Sequence, residues 1–72
     1  MAAMQHESRL VPAPGWKVLI VDDEPEVHLV TRLVLSGFRF EGRALDFINA
    51  YSAAEAKAKM REDPDIAVIL LD

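Results

Sequence analysis

No cysteine occurs in the 72 residues, which excludes disulfides and thiolate metal sites and fits a reducing compartment. Glycine is scarce, three residues in all, and no glycine-rich loop follows an apolar run. That argues against a dinucleotide-binding domain of the Rossmann kind. Basic residues form no block: eight Lys and Arg stand against twelve Asp and Glu, for a net charge of −4. A nucleic-acid surface, which needs a basic patch, is therefore not expected. The longest apolar run, Ile66 to Leu71, is far too short to span a bilayer. Residues 1–15 lack a signal-peptide core, and His6, Glu7 and Ser8 make a poor n-region. The scattered Met and aromatic residues form no stripe that would mark a cofactor. A soluble, cytoplasmic protein is expected, with one small domain that buries only roughly 60% of its unfolded surface.

What is present is an alternation of apolar runs and helical patterns. Residues 1–15, with two prolines and one glycine, read as a flexible leader, and Trp16 marks the start of order. Val18 to Val21 is a continuous β-branched and aliphatic run, the pattern of a strand covered on both faces. Pro25 suits the first turn of a helix, and Asp23, Glu24 and Glu26 suit the positive end of its dipole. Val27, Val30 and Val34, with Leu33 beside them, form a stripe expected to face the core, and Gly37 fits the C′ position. Phe38 to Arg43 reads as a loop, a frayed helix end or a short extension. Leu45 to Ala50 is a second strand, with Asp46 and Asn49 suggesting a place nearer the sheet edge. Ser52-Ala53-Ala54-Glu55 matches a capping box, and Pro64 ends the helix that follows. Ile66 to Leu71 is the third strand. The β-α-β-α-β order implies a parallel sheet with right-handed crossovers, in which the last strand can lie beside the first.

Two of these strands end in carboxylates, Asp22-Asp23 and Asp72. If the strands are parallel neighbours, the three acids meet at the carboxyl edge, where open α/β sheets place ligands. Clustered carboxylates repel unless a cation sits among them, and hard oxygen ligands suit Mg²⁺. A metal-assisted phosphoryl site is the chemistry this pattern suggests. The bland alternative for Asp22 and Asp23 is a solvated strand-to-helix turn. For Asp72 it is the polar end of a buried strand. Glu24 is read as a helix-start residue, His28 as a residue one turn into the helix and away from the strand ends, and His6 as incidental. Lys57, Lys59 and Arg61 are read as a solvated helix face.

The turn Val21-Asp22-Asp23-Glu24-Pro25, the segment Ser52-Ala53-Ala54-Glu55-Ala56 and the run Asp65-Ile66-Ala67-Val68-Ile69-Leu70-Leu71-Asp72 together resemble the receiver domain of two-component response regulators. The resemblance covers residues 17–72, making 16–72 a partial receiver domain of the doubly wound, flavodoxin-like parallel-sheet type, cut after its third strand. It implies that Asp72 accepts a phosphoryl group from a sensor histidine kinase, and that Asp22 and Asp23, with Asp72, hold Mg²⁺. A carboxylate is a competent nucleophile toward phosphorus, and a metal offsets the charge of the transferred group. Against the family pattern, the chain has three strands and two helices rather than five of each. It lacks the residue after the phosphoacceptor, the later Thr or Ser and the later Lys. The interval from Asp23 to Asp72 is several residues longer than usual, with Phe38–Arg43 as the place for the excess. Glu26-Val27-His28-Leu29-Val30-Thr31 and Phe38-Arg39-Phe40-Glu41-Gly42-Arg43 resemble receivers that head larger regulators, some with an HD-GYP cyclic-dinucleotide phosphodiesterase output.

Two rivals belong to other classes. A Mg²⁺-dependent phosphatase of the haloacid-dehalogenase kind also ends its first strand in a nucleophilic Asp, but wants Asp-x-Asp where this chain has Asp22-Asp23-Glu24. A structural module could keep the receiver shape purely as a docking surface. The 72 residues alone are expected to be poor phosphoacceptors, with Val18–Val21 and Ile66–Leu71 exposed at sheet edges. Self-association or partial unfolding is the expected consequence.

Overall fold

The computed structural model of the chain describes residues 14–71. Most of the expected leader, and Asp72 itself, lie outside these described residues. The fold is α/β. In chain order the elements are β1 (Trp16–Val21), α1 (Pro25–Leu35), β2 (Arg39–Phe40), β3 (Arg43–Ala50), α2 (Ala53–Glu62) and β4 (Ile66–Leu71). The strands form one sheet in the order β2-β3-β1-β4. β1 pairs in parallel with β3, Val21 opposite Ala50, and in parallel with β4, Val21 opposite Leu71. Between Lys17 and Val18 the pairing with β4 shifts by one residue, a bulge that leaves Ala67 without a partner on β1.

The central place of β1 explains its sequence. Val18, Leu19 and Ile20 are all buried because both neighbours and both faces are covered. This corrects the expectation that β1 would be an exposed edge. For β4 the expectation holds: among the described residues it pairs on one side only, and Val68, Ile69 and Leu71 are exposed.

The two helices lie on opposite faces. Side chains alternate along β1, so Leu19 and Val21 point one way and Val18 and Ile20 the other. Leu19 packs with Ala50 and with Ala56 of α2, flanked by Val21, Ile48 and Ile66. Val27 and Thr31 of α1 instead line a cavity together with Ile20 and Leu70. Right-handed crossovers demand this arrangement when one connection moves to the left of β1 and the next crosses back to its right.

Sequence explains the ends of the helices. Pro25 occupies the first turn of α1, where no N–H is needed. Ser52 Oγ accepts the Glu55 N–H at 3.1 Å, and Glu55 Oε1 accepts the Tyr51 N–H at 2.9 Å. This is the expected capping box, with its return arm reaching one residue further back. The Asp63 N–H closes α2 onto Lys59 O at 2.9 Å, just before Pro64. Gly37 does fall at the C′ position of α1, but its φ is not positive and Ser36 stays right-handed. The Phe38 N–H caps the turn by bonding Leu35 O at 3.0 Å.

Two expectations need correction here. The sheet is mixed rather than wholly parallel, because Phe38–Arg43 folds into an antiparallel hairpin. Glu41 and Gly42 take φ values of 52° and 76°, the two positive angles of a two-residue I′ turn. That turn pairs Phe40 with Arg43 and Arg39 with Ala44. The hairpin closes over the amino end of β1. Trp16 Nε1–H donates to Phe40 O at 2.8 Å, and the Arg43 guanidinium lies 3.7 Å from the centre of the Trp16 ring. The second correction concerns α1. Val30, Leu33 and Val34 are exposed rather than turned to the core, Val34 at 74%. The helix faces the sheet with Val27, His28, Thr31 and Leu35, because its apolar stripe is wide and only one flank meets the strands.

Candidate functional site

Neighbouring strands β1 and β3 leave the sheet toward opposite faces, which opens a crevice between their carboxyl ends. It is a cleft of 290 Å³ lined by Val21, Asp22 and Asp23 on one side and Tyr51, Ser52 and Ala53 on the other.

Asp22 is the most constrained residue of this crevice. Its N–H donates to Ala50 O at 3.1 Å, extending the β1–β3 ladder by one step. Its Oδ1 accepts the Glu24 N–H at 2.8 Å, which satisfies a free donor at the start of α1. Its carbonyl accepts Nε2–H of His28 at 2.8 Å. The remaining atom, Oδ2, is buried and has no partner among the described residues, while the residue as a whole is only 6% exposed. A carboxylate oxygen withdrawn from water without a donor is costly, so a ligand for it is the natural complement. Asp23, next along the turn, is exposed. Glu24 is the N-cap residue and its side chain makes no capping bond; the Asp22 side chain instead holds the N–H of Glu24 itself, an Asx-type turn leading into the helix.

The sequence-predicted residues are thus placed unequally. Asp22 and Asp23 share one turn at the crevice. Asp72 lies outside the described residues, although its chain neighbour Leu71 pairs with Val21, the residue before Asp22. Among the described residues no three His, Cys, Asp or Glu side chains gather into a metal-binding group. The donor set nonetheless fits a hard divalent cation. Mg²⁺ is commonly held by one or two carboxylates with waters and phosphate oxygens completing its shell, and Asp22 Oδ2 is free to serve.

Sequence reasoning missed three contributors. His28, read as remote from the strand ends, is fully buried against Asp22. Its second ring nitrogen, Nδ1, lies 2.9 Å from Asn49 Oδ1 on β3. The Tyr51 ring covers it, with ring centres 4.4 Å apart. The signal was available: helix side chains lean toward the amino end, so the fourth residue of α1 reaches back over the turn. Asn49 likewise shares a sheet face with Ile20 by strand alternation.

Comparison with known proteins adds one relative. The chain is 47% identical over 57 residues to 3′3′-cGAMP-specific phosphodiesterase 2 of Vibrio cholerae serotype O1. That match covers 79% of this chain and 11% of the relative. The chain thus spans about a tenth of the relative's length. The likeness fits a segment of a signalling regulator. No family model matches the chain, and no solved structure does either. No helix among the described residues is long and apolar enough to cross a membrane.

Proposed function

We propose that residues 16–72 are receiver sequence, in which Asp72 takes a phosphoryl group from a sensor histidine kinase and Asp22 and Asp23 hold the Mg²⁺ that assists. The observation that carries this reading is Asp22 itself: a buried carboxylate with one oxygen bonded and the other without a partner, at the carboxyl end of the central strand. The parallel pairing of β1 with β4 supports the same reading, because it sets Leu71 beside Val21. When bound, the metal would neutralise charge on the incoming phosphoryl group. The chain's own part is to present the acids. Asp22 is fixed through its N–H, carbonyl and Oδ1, which leaves Oδ2 as its free ligand atom, and exposed Asp23 adds a second carboxylate. By the same proposal the chain is the control segment of a regulator acting on cyclic dinucleotides, a reading supported by the named phosphodiesterase relative.

The test is incubation of the protein with acetyl phosphate, with and without Mg²⁺, followed by mass spectrometry. A hydroxylamine-labile phosphoryl group on Asp72, formed slowly and to low occupancy by these 72 residues, dependent on Mg²⁺ and absent from Asp72→Asn, is the expected result. Steady turnover of a generic phosphate ester without stoichiometric labelling would point to a phosphatase. No labelling and no Mg²⁺ binding by a folded protein would leave a docking module.

A further inference from the structure

The buried imidazole beside the acid turn has a function of its own. Among the described residues His28 is, with Leu19, one of the two largest fully buried side chains. It is a polar ring where α1 meets the sheet, a place where an aliphatic side chain would pack without needing partners. Its polar partners lie at the carboxyl ends of β1 and β3. Nε2 must carry the hydrogen in the contact with Asp22, because a carbonyl oxygen can only accept. Nδ1 stands against the Asn49 side-chain amide, one residue before the end of β3. Tyr51, which lines the crevice wall, lies over the ring. One side chain thus ties the exit of β1 to the exit of β3.

We infer that His28 is a positioning residue for Asp22: by bonding the Asp22 carbonyl while anchored on Asn49, it holds the peptide so that Oδ2 faces the cation site. The inference rests on the proposed metal-binding role of Asp22 and deepens it. Asp22 has two rotatable side-chain bonds, and Oδ1 is already committed to Glu24. With Oδ1 committed, the direction of Oδ2 follows from the orientation of the backbone, which His28 sets. Groups that orient metal ligands in this way are worth on the order of 10–100-fold in metal affinity. A histidine that only filled the core would affect stability and leave the affinity of the folded protein unchanged.

The experiment is a Mg²⁺ titration of the protein followed by the amide resonances of Asp22 and Asp23, alongside urea unfolding in a chelator. The variants are His28→Leu, His28→Gln and Asn49→Ala. The wild-type protein binds Mg²⁺; His28→Leu binds it on the order of 10–100-fold more weakly. His28→Gln, whose side-chain amide can still donate to the Asp22 carbonyl, recovers most of that loss. Asn49→Ala, which frees the ring without touching Asp22, gives an intermediate loss. Equal affinity in wild type and in folded His28→Leu overturns the inference, as does His28→Gln binding as weakly as His28→Leu. Should His28→Leu fail to fold, Asn49→Ala decides: weakened binding supports the role, unchanged binding overturns it. Absence of Mg²⁺ binding in the wild type removes the receiver reading as well, and is recognised because the unaltered protein fails.

Discussion

Asp22 Oδ1 accepts the Glu24 N–H and closes the turn into the helix that begins at Pro25, while the proposed cation task falls to Oδ2, which has no partner among the described residues. The two tasks use different oxygens, and substitutions separate them. Asp22→Asn keeps an acceptor for Glu24 and removes the buried charge; Asp22→Ala removes both. In a chelator, Asp22→Asn is expected to exceed Asp22→Ala in stability by about 1 kcal/mol, the usual net worth of one hydrogen bond. Both variants lose the Mg²⁺ response. Urea midpoints with and without Mg²⁺ read both effects, and equal stability of the two variants in chelator would show that the bond to Glu24 contributes nothing.

The Glu41-Gly42 turn carries avoidable strain. Glu41 sits at φ 52°, a left-handed angle that most L residues resist. Asparagine tolerates that angle and makes the preferred Asn-Gly pair of an I′ turn. Glu41→Asn is expected to raise stability by up to about 1 kcal/mol. A urea midpoint at or below the wild-type value would show that Glu41 is not strained.

At the other end of the molecule, Lys17 Nζ and Asp63 Oδ2 pair at 2.7 Å, joining the start of β1 to the end of α2. The hydrogen bond from Lys17 is the main reason that the Asp63 carboxyl is lowered below its ordinary range, with the Asp65 N–H adding to it. The same bond raises Lys17 above the ordinary lysine value. A lowered acid stabilises the fold above its unfolded pKa and loses that effect as pH falls through the folded one. A raised base stabilises below its unfolded pKa and loses that effect as pH rises through its folded one. The pair therefore contributes across the range between ordinary carboxylate and lysine titration. A double-mutant cycle with Lys17→Met and Asp63→Asn should show coupling near neutral pH that vanishes in strong acid and shrinks with salt. Coupling that persists in acid would contradict the assignment.

Ser52 makes a simpler case. Ser52→Ala removes the acceptor for the Glu55 N–H and should cost about 1 kcal/mol, with amide exchange accelerated first at the start of α2. Exchange that rises uniformly through the sheet instead would show that α2 does not fray on its own.

These cases also show why parts of the molecule were legible beforehand. Val18–Val21 and Ile66–Leu71 read as strands because parallel strands are continuous apolar runs, and Ser52 with Glu55 announced its helix by local hydrogen bonding. Such signals are complete within a few residues. The hairpin at Phe38–Arg43 was hidden because its turn uses Glu41 rather than the usual Asn or Asp. The orientation of α1 was hidden because Val27, Val30, Leu33 and Val34 wrap around more of the helix than one sheet face can cover. Asp22 and Asp23 stood out as paired charges after a strand. The importance of His28 lies in Asn49 and Tyr51, more than twenty positions away, and no local pattern joins them.

The arrangement of the two largest ring systems has an optical consequence. The chain has one tryptophan and one tyrosine. Trp16 begins β1, about 17 Å from the strand's far end, and is enclosed by the hairpin through Phe40 and Arg43. Tyr51 lines the crevice and lies on His28. The two chromophores therefore watch opposite ends of one strand. Indole emission, excited where the phenol does not absorb, is expected to follow the closing of the hairpin, and phenol absorbance to follow the crevice.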